Sequence, residues 1–200
     1  SSDSRIYEGY WPYQPDKDSF DSVEYSDAVA SIGETFPRVE LMDQFGEQVD
    51  IYDFAGHGKP VLVDISAVWC GPCNGLASWL AGTGDDYNWG GSYPNIAELV
   101  ENGDVYWLTV LGQNGRGGKP GIGALEAWYE DYPDPEIPVL GDEALDSNGY
   151  GLSEKFIQYA WPTMMLLDEN MVITHAGFSE STYTQALDQL EDKFAAGDFD

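Results

Sequence analysis

Apolar positions along the 200-residue chain fall into runs of two kinds, and each kind predicts an element. Residues 61–68 form a near-continuous β-rich run, the pattern of a strand buried on both faces. Asp64 interrupts it. Leu76, Ala77 and Leu80 follow at helical spacing, so the chain turns from strand to helix around residues 70–73. Residues 105–111 and 137–140 read as two further buried strands. Residues 163–167 and 171–175 read as an antiparallel hairpin turned at Asp168-Glu169-Asn170. Helical spacing recurs at Ile96, Leu99 and Val100, behind a Pro94 suited to a first turn. It recurs again at Ile122, Leu125, Ala127, Trp128 and Tyr129, stopping before Pro133 and Pro135. Tyr183, Ala186, Leu187, Leu190 and Phe194 predict a closing amphipathic helix.

Near the start, residues 38–42 and 48–51 flank Asp43-Gln44-Phe45-Gly46, a hairpin signal with glycine at the turn, and residues 52–55 read as a short turn. The alternation of strands and helices predicts an α/β sandwich: a mixed central β-sheet flanked by helices, with an N-terminal hairpin. Residues 82–91 and 113–123 are rich in breakers and read as loops, the first placed to overhang the strand-to-helix junction. Gly118-Lys119-Pro120 lacks the first glycine and the Ser or Thr of a phosphate-binding loop. Asp142, Glu143, Asp146 and Asn148 miss the order of a calcium loop, so residues 142–148 read as a solvated loop. Residues 1–31, rich in Ser, Asp, Tyr and Pro, read as an N-terminal extension or tether ahead of a domain at 32–200. That extension holds Tyr7, Tyr10, Trp11, Tyr13, Phe20 and Tyr25, so part of it is expected to pack on the domain.

Charge narrows the classes of partner. Thirty-six acids against eight Lys plus Arg give a net charge of −28 and a pI near 4.1. Such a surface repels phosphate backbones, which excludes nucleic acid as a partner. Solubility or a saline environment explains the acidity, and it also steers basic partners. No apolar run reaches the roughly 18 residues needed to span a bilayer. The Ser- and Asp-rich start is what a removed targeting segment leaves behind, so an extracytoplasmic or periplasmic location is expected. The expected state is a monomer.

Candidate chemistry lies at the strand-to-helix junction. Cys70 and Cys73, the two cysteines of the chain, bracket Gly71-Pro72 at a predicted helix N-terminus. Unpaired N–H groups and the positive end of the helix dipole favour an anion there, so an exposed thiol ionises more easily than a free one. Zinc ribbons share the C-x-x-C spacing but bring a second pair. A copper or zinc site would need His57, in a loop, or His175 to converge on the cysteines.

Trp69-Cys70-Gly71-Pro72-Cys73, with Asp64 six residues upstream of Cys70, resembles the active-site stretch of thioredoxin. Residues 33–49, Gly-Glu-Thr-Phe-Pro-Arg-Val-Glu-Leu-Met-Asp-Gln-Phe-Gly-Glu-Gln-Val, resemble the opening hairpin of the redoxin branch, which holds extracytoplasmic thiol-disulfide oxidoreductases and peroxiredoxin relatives. Trp161-Pro162-Thr163 is similar in placement to the cis-proline loop of that superfamily. The extra helix and strand between residues 122 and 140 also resemble redoxin relatives. The resemblance implies a thioredoxin-like fold and dithiol-disulfide exchange with protein disulfides, fed by an upstream thiol donor and needing no cofactor or metal. It makes Cys70 the nucleophile, Cys73 the resolving cysteine, and Trp69, Gly71, Pro72, Trp161 and Pro162 the substrate contacts.

Alternatives remain at several positions. A Cys70–Cys73 staple would gain only about 2 kcal/mol from a four-residue ring, little for a core of this size. Peroxiredoxins place a threonine three residues before their reactive cysteine, where this chain has Ala67. Copper-delivery relatives of the fold separate their cysteines by three residues rather than two. Asp64 is either a cap at a wet strand end or a buried carboxyl that takes the proton of Cys73. The Trp161–Pro162 bond is expected to be cis, leaving the backbone N–H and C=O of Trp161 open to an extended substrate segment; Trp161 is either a wall of that groove or a core aromatic.

Overall fold

The computed structural model describes residues 6–198, so residues 1–5 of the expected extension lie outside the described residues. Among these residues seven strands form one sheet: β1 (Glu40–Met42), β2 (Gln48–Asp50), β3 (Val61–Ala67), β4 (Tyr106–Gln113), β5 (Val139–Gly141), β6 (Thr163–Leu167) and β7 (Ile173–Ala176). Their spatial order is β2-β1-β5-β4-β3-β6-β7. Among the described residues six α-helices accompany them: α1 (Gly71–Leu80), α2 (Trp89–Ser92), α3 (Ile96–Glu101), α4 (Ile122–Asp131), α5 (Leu152–Phe156) and α6 (Gln185–Ala196).

Strand β3 lies inside the sheet, parallel to β4 and antiparallel to β6, and all seven of its residues are buried. The crossovers β3-α1-β4 and β4-α4-β5 step the same way across the sheet. Right-handed connections then put α1 and α4 on one face. Alternation along β3 divides the core. Val61, Val63 and Ile65 join Val110, Leu140 and Phe156 on one side, whereas Leu62 joins Leu76 of α1, Trp107 and Leu187 on the other. Asp64 and Ser66 share the face of Leu62, so the buried carboxyl points to the side on which α1 lies.

The loop expected at residues 142–148 is not wholly solvated. Asp142 is fully buried, and its carboxylate accepts from the backbone N–H groups of Leu152 and Ser153 at 2.7 and 2.8 Å and from Ser153 Oγ at 2.7 Å. It thereby satisfies the open N-terminus of α5, from a position ten residues upstream. Helix α5 spans only five residues, too few for a helical period to stand out. Asp146 instead closes its own turn, accepting from the N–H of Asn148 and Tyr150. Among the described residues no group of three or more His, Cys, Asp or Glu is placed to hold a metal ion.

Residues 6–30 lie against the face of the sheet opposite α1. Tyr7 and Trp11 are buried there, and Phe20 and Tyr25 pack half-buried against the same cluster. The fully buried Asp53 carboxylate anchors this stretch, accepting from Tyr7 Oη and from Lys17 Nζ at 2.6 Å. Burial beside that carboxylate raises the Tyr7 phenol well above its ordinary value. Tyr10 and Tyr13 are exposed.

Candidate active site

Strand β3 delivers the chain through Trp69 to Cys70, which is the N-cap of α1, with Gly71 and Pro72 in the first turn. Pro72 loses nothing there, because the first N–H groups of a helix have no partner within it. Cys70 and Cys73 are joined by a disulfide with Cα atoms 5.2 Å apart. The backbone N–H of Cys73 donates to Cys70 Sγ at 3.2 Å, so the helix terminus acts on the sulfur directly. The expected contrast in exposure is small: Cys70 is 3% exposed and Cys73 fully buried. Both pack with Ala67, Leu111, Leu125 and Trp128, and Trp161 lies against the same cluster.

Asp64 is buried within β3, opposite Thr109 of β4 and Met164 of β6. Desolvation pushes its pKa up from 3.8 to about 7, although hydrogen bonding from Ser66, whose Oγ is 2.8 Å away, and the polar groups of Trp107 and Thr109 pull the other way. The Trp107 indole N–H itself has no partner in hydrogen-bond geometry among the described residues. Asp64 is thus no wet strand-end cap. Burial, with the Asp64 charge second, raises the nearby Tyr183 phenol to about 12.

The Trp161–Pro162 peptide bond is cis. The Trp161 ring meets Trp69 edge to face, centroids 5.7 Å apart, and Trp69 Nε1 donates to Gln113 Oε1 at 2.8 Å. Gly112 makes room for this arrangement: a Cβ there would stand 2.8 Å from Trp161 Cη2 and 2.6 Å from Ser153 Cβ. The Trp161 carbonyl is not left open, because it accepts from Tyr183 Oη at 3.3 Å. The Trp161 N–H has no partner among the described residues. Trp161 itself is half-buried and Pro162 buried, whereas Trp69 and Gly71 are exposed and Pro72 half-exposed.

Asn74 was not singled out from the sequence, yet it ties the junction together. Its Nδ2 donates to the carbonyls of Cys70 at 2.6 Å and Val68 at 3.1 Å, and its Oδ1 accepts from Tyr132 Oη at 2.9 Å. A legible signal existed, since Asn is a poor helix residue that competes for backbone groups. The loop of residues 82–88 does reach α1, where Tyr87 lies against Gly71 and Gly75. His57 accompanies neither cysteine; its Nε2 is 2.9 Å from the Asp53 carbonyl, ahead of β3. His175 lies on β7, and burial lowers its pKa.

No family model and no curated protein matches the chain. Solved structures do. A candidate protein disulfide isomerase from Bacteroides thetaiotaomicron superposes with a TM-score of 0.53 at 17% identity, covering 82% of this chain and 90% of that one. A secreted disulfide oxidoreductase of Mycobacterium tuberculosis, homologous to E. coli DsbE, gives 0.50 at 16% identity over 80% and 96%. A peroxidoxin of Mycobacterium tuberculosis gives 0.54 at 14% identity over 82% and 96%. The helix-flanked mixed sheet, with its Cys70–Cys73 disulfide where β3 meets α1, is a thioredoxin-like fold.

Proposed function

We propose that the chain is a thiol-disulfide oxidoreductase that exchanges its Cys70-Cys73 dithiol and disulfide with protein disulfides. The observation that carries this reading is the disulfide itself, set at a helix N-terminus with a buried acid on the α1 side of the adjoining strand. In the reduced protein the Cys70 thiolate attacks one sulfur of a substrate disulfide. The Cys70–substrate bond forms as the substrate S–S bond breaks, and the departing thiolate takes a proton from solvent. Asp64 then accepts the proton of Cys73, which attacks Cys70 Sγ. The Cys70–Cys73 bond forms as the Cys70–substrate bond breaks, and the second substrate sulfur leaves as a thiolate that takes a proton from solvent. Tethering makes this last step intramolecular and fast. Two electrons have moved to the substrate, and an upstream thiol donor returns the pair to the dithiol.

Trp69, Gly71, Pro72, Trp161 and Pro162 form the surface against which the substrate segment rests in this reading. Main-chain pairing falls to the open N–H of Trp161, since its carbonyl already has a partner. An extracytoplasmic site of action is supported by the likeness to a secreted oxidoreductase of the same fold. A peroxidase reading has only the peroxidoxin's fold in its favour, and Ala67 occupies the place of the threonine that chemistry uses. The test is oxidation of the reduced protein by a disulfide-bridged peptide, compared with oxidation by hydrogen peroxide. Fast oxidation by the peptide is expected; preference for peroxide would reverse the assignment.

A further inference from the structure

Residues 81–88, between α1 and α2, serve neither the exchange chemistry nor the sheet, yet they are held against the active-site helix. Asp85 anchors them by accepting from the backbone N–H of Trp89 and Gly90 at 2.6 and 2.9 Å. Tyr87 then lies along α1. A Cβ at Gly71 would stand 2.5 Å from its hydroxyl, and one at Gly75 would stand 2.2 Å from its Cδ2. Two glycines one turn apart therefore make a track that the ring occupies. Half of Tyr87 stays exposed, and it borders a groove with Asn74, Ser78, Asp86 and Tyr132 that begins at Gly71, between the cysteines. Asn74 holds the Tyr132 hydroxyl in place. Asp86 is exposed, and among the described residues no Lys or Arg pairs with it.

Two phenol rings and an unpaired carboxylate, on a chain of net charge −28, suit a planar cation. A guanidinium stacks on aromatic faces and pairs with a carboxylate at once. We propose that this groove is a specificity subsite for a cationic side chain, arginine above all, borne by the substrate segment next to the disulfide that Cys70 attacks. The proposal rests on the oxidoreductase reading above. Tyr87 is its central residue, and the glycines at 71 and 75 are what let Tyr87 sit there.

The test reacts the reduced protein with two peptides, each closed by one disulfide and identical except for Arg or Gln beside a cysteine. The second-order rate of protein oxidation is read at low salt and at about 1 M salt, where screening acts within roughly 3 Å. The Arg peptide should react about tenfold faster, between the scales of an exposed and a desolvated cation–π contact, as suits a half-exposed ring. A several-fold preference should survive high salt, persist in Tyr87→Phe, and fall to near unity in Tyr87→Ala and in Gly75→Ala, whose new Cβ expels the ring. Equal rates in the parent protein would overturn the subsite. So would a preference that vanishes with salt, which belongs to the overall field, or one that Tyr87→Ala retains. Oxidation by neither peptide would instead overturn the oxidoreductase reading, and the subsite with it.

Discussion

The backbone N–H of Cys73 points at the sulfur of Cys70, 3.2 Å away. That one contact converts the open end of α1 into a stabiliser of negative charge on the first cysteine and not the second. The reduced Cys70 thiol is therefore expected to titrate within the roughly 3.5–7.5 span of activated cysteines. Iodoacetamide alkylation against pH measures it. Titration near about 8.5, the ordinary thiol value, would remove the activated nucleophile. Cys70→Ser should abolish peptide-disulfide reduction and Cys73→Ser should accumulate mixed disulfides; equal residual turnover in the two would contradict their roles.

Asp64 carries a pH signature. Below about pH 4 it is protonated in the folded and the unfolded chain alike. As pH rises, the unfolded chain ionises first, while the folded chain holds its proton until about pH 7. Stability from this group is thus present at acid pH and lost as pH approaches 7, by about 4 kcal/mol at about 1.4 kcal/mol per pH unit. Asp64→Asn should flatten that slope, leaving the variant more stable than the parent at pH 8 by a few kcal/mol, yet slow in resolving mixed disulfides. Urea midpoints from pH 4 to 8 give the answer; parallel curves for the two proteins would contradict the buried, protonated acid.

Asn74 bridges Val68, Cys70 and Tyr132. Asn74→Ala strands the Val68 carbonyl and the Tyr132 hydroxyl, while the Cys70 carbonyl keeps the backbone N–H of residue 74, and should cost about 1–3 kcal/mol. It should also loosen the Cys70 turn, lowering the rate of attack on a disulfide while Tyr132→Phe, which removes one of the bonds, has the milder effect. Unchanged stability and rate in Asn74→Ala would show the bridge to be incidental.

Trp11 is 5% exposed and stacks on Phe45 with ring centroids 6.0 Å apart. Trp11→Ala should cost about 3–5 kcal/mol, the range for a core aromatic. A loss within about 0.5 kcal/mol, the scale of surface changes, would return residues 6–30 to the role of a tether.

Much of this was legible in the sequence because the signals were long or local. The seven residues of β3 are buried on both faces, and their apolar run states as much. The helices at 122–131 and 185–196 carry their period over ten and twelve residues. The Cys70-Gly71-Pro72-Cys73 stretch advertises a helix start, and Asp64 in an apolar run advertises a buried acid. What stayed hidden depends on distant partners. Helix α5 is stabilised by Asp142 from ten residues away. The Trp161 carbonyl is claimed by Tyr183, twenty-two residues on. The near-equal burial of the two cysteines comes from Trp128, Leu111 and Trp161, three residues from separate parts of the chain. No local pattern states such long-range contacts.

In the proposed function the Cys70–Cys73 bond is a working redox couple in a folded protein. Equilibration in buffers of graded dithiol-to-disulfide ratio, with the thiols alkylated and counted, measures that couple. A single reversible two-electron transition is expected, about 30 mV per tenfold change in ratio, with circular dichroism showing the fold intact at both ends. A bond that opens only when the protein unfolds would be a staple, which would contradict a role in thiol-disulfide exchange.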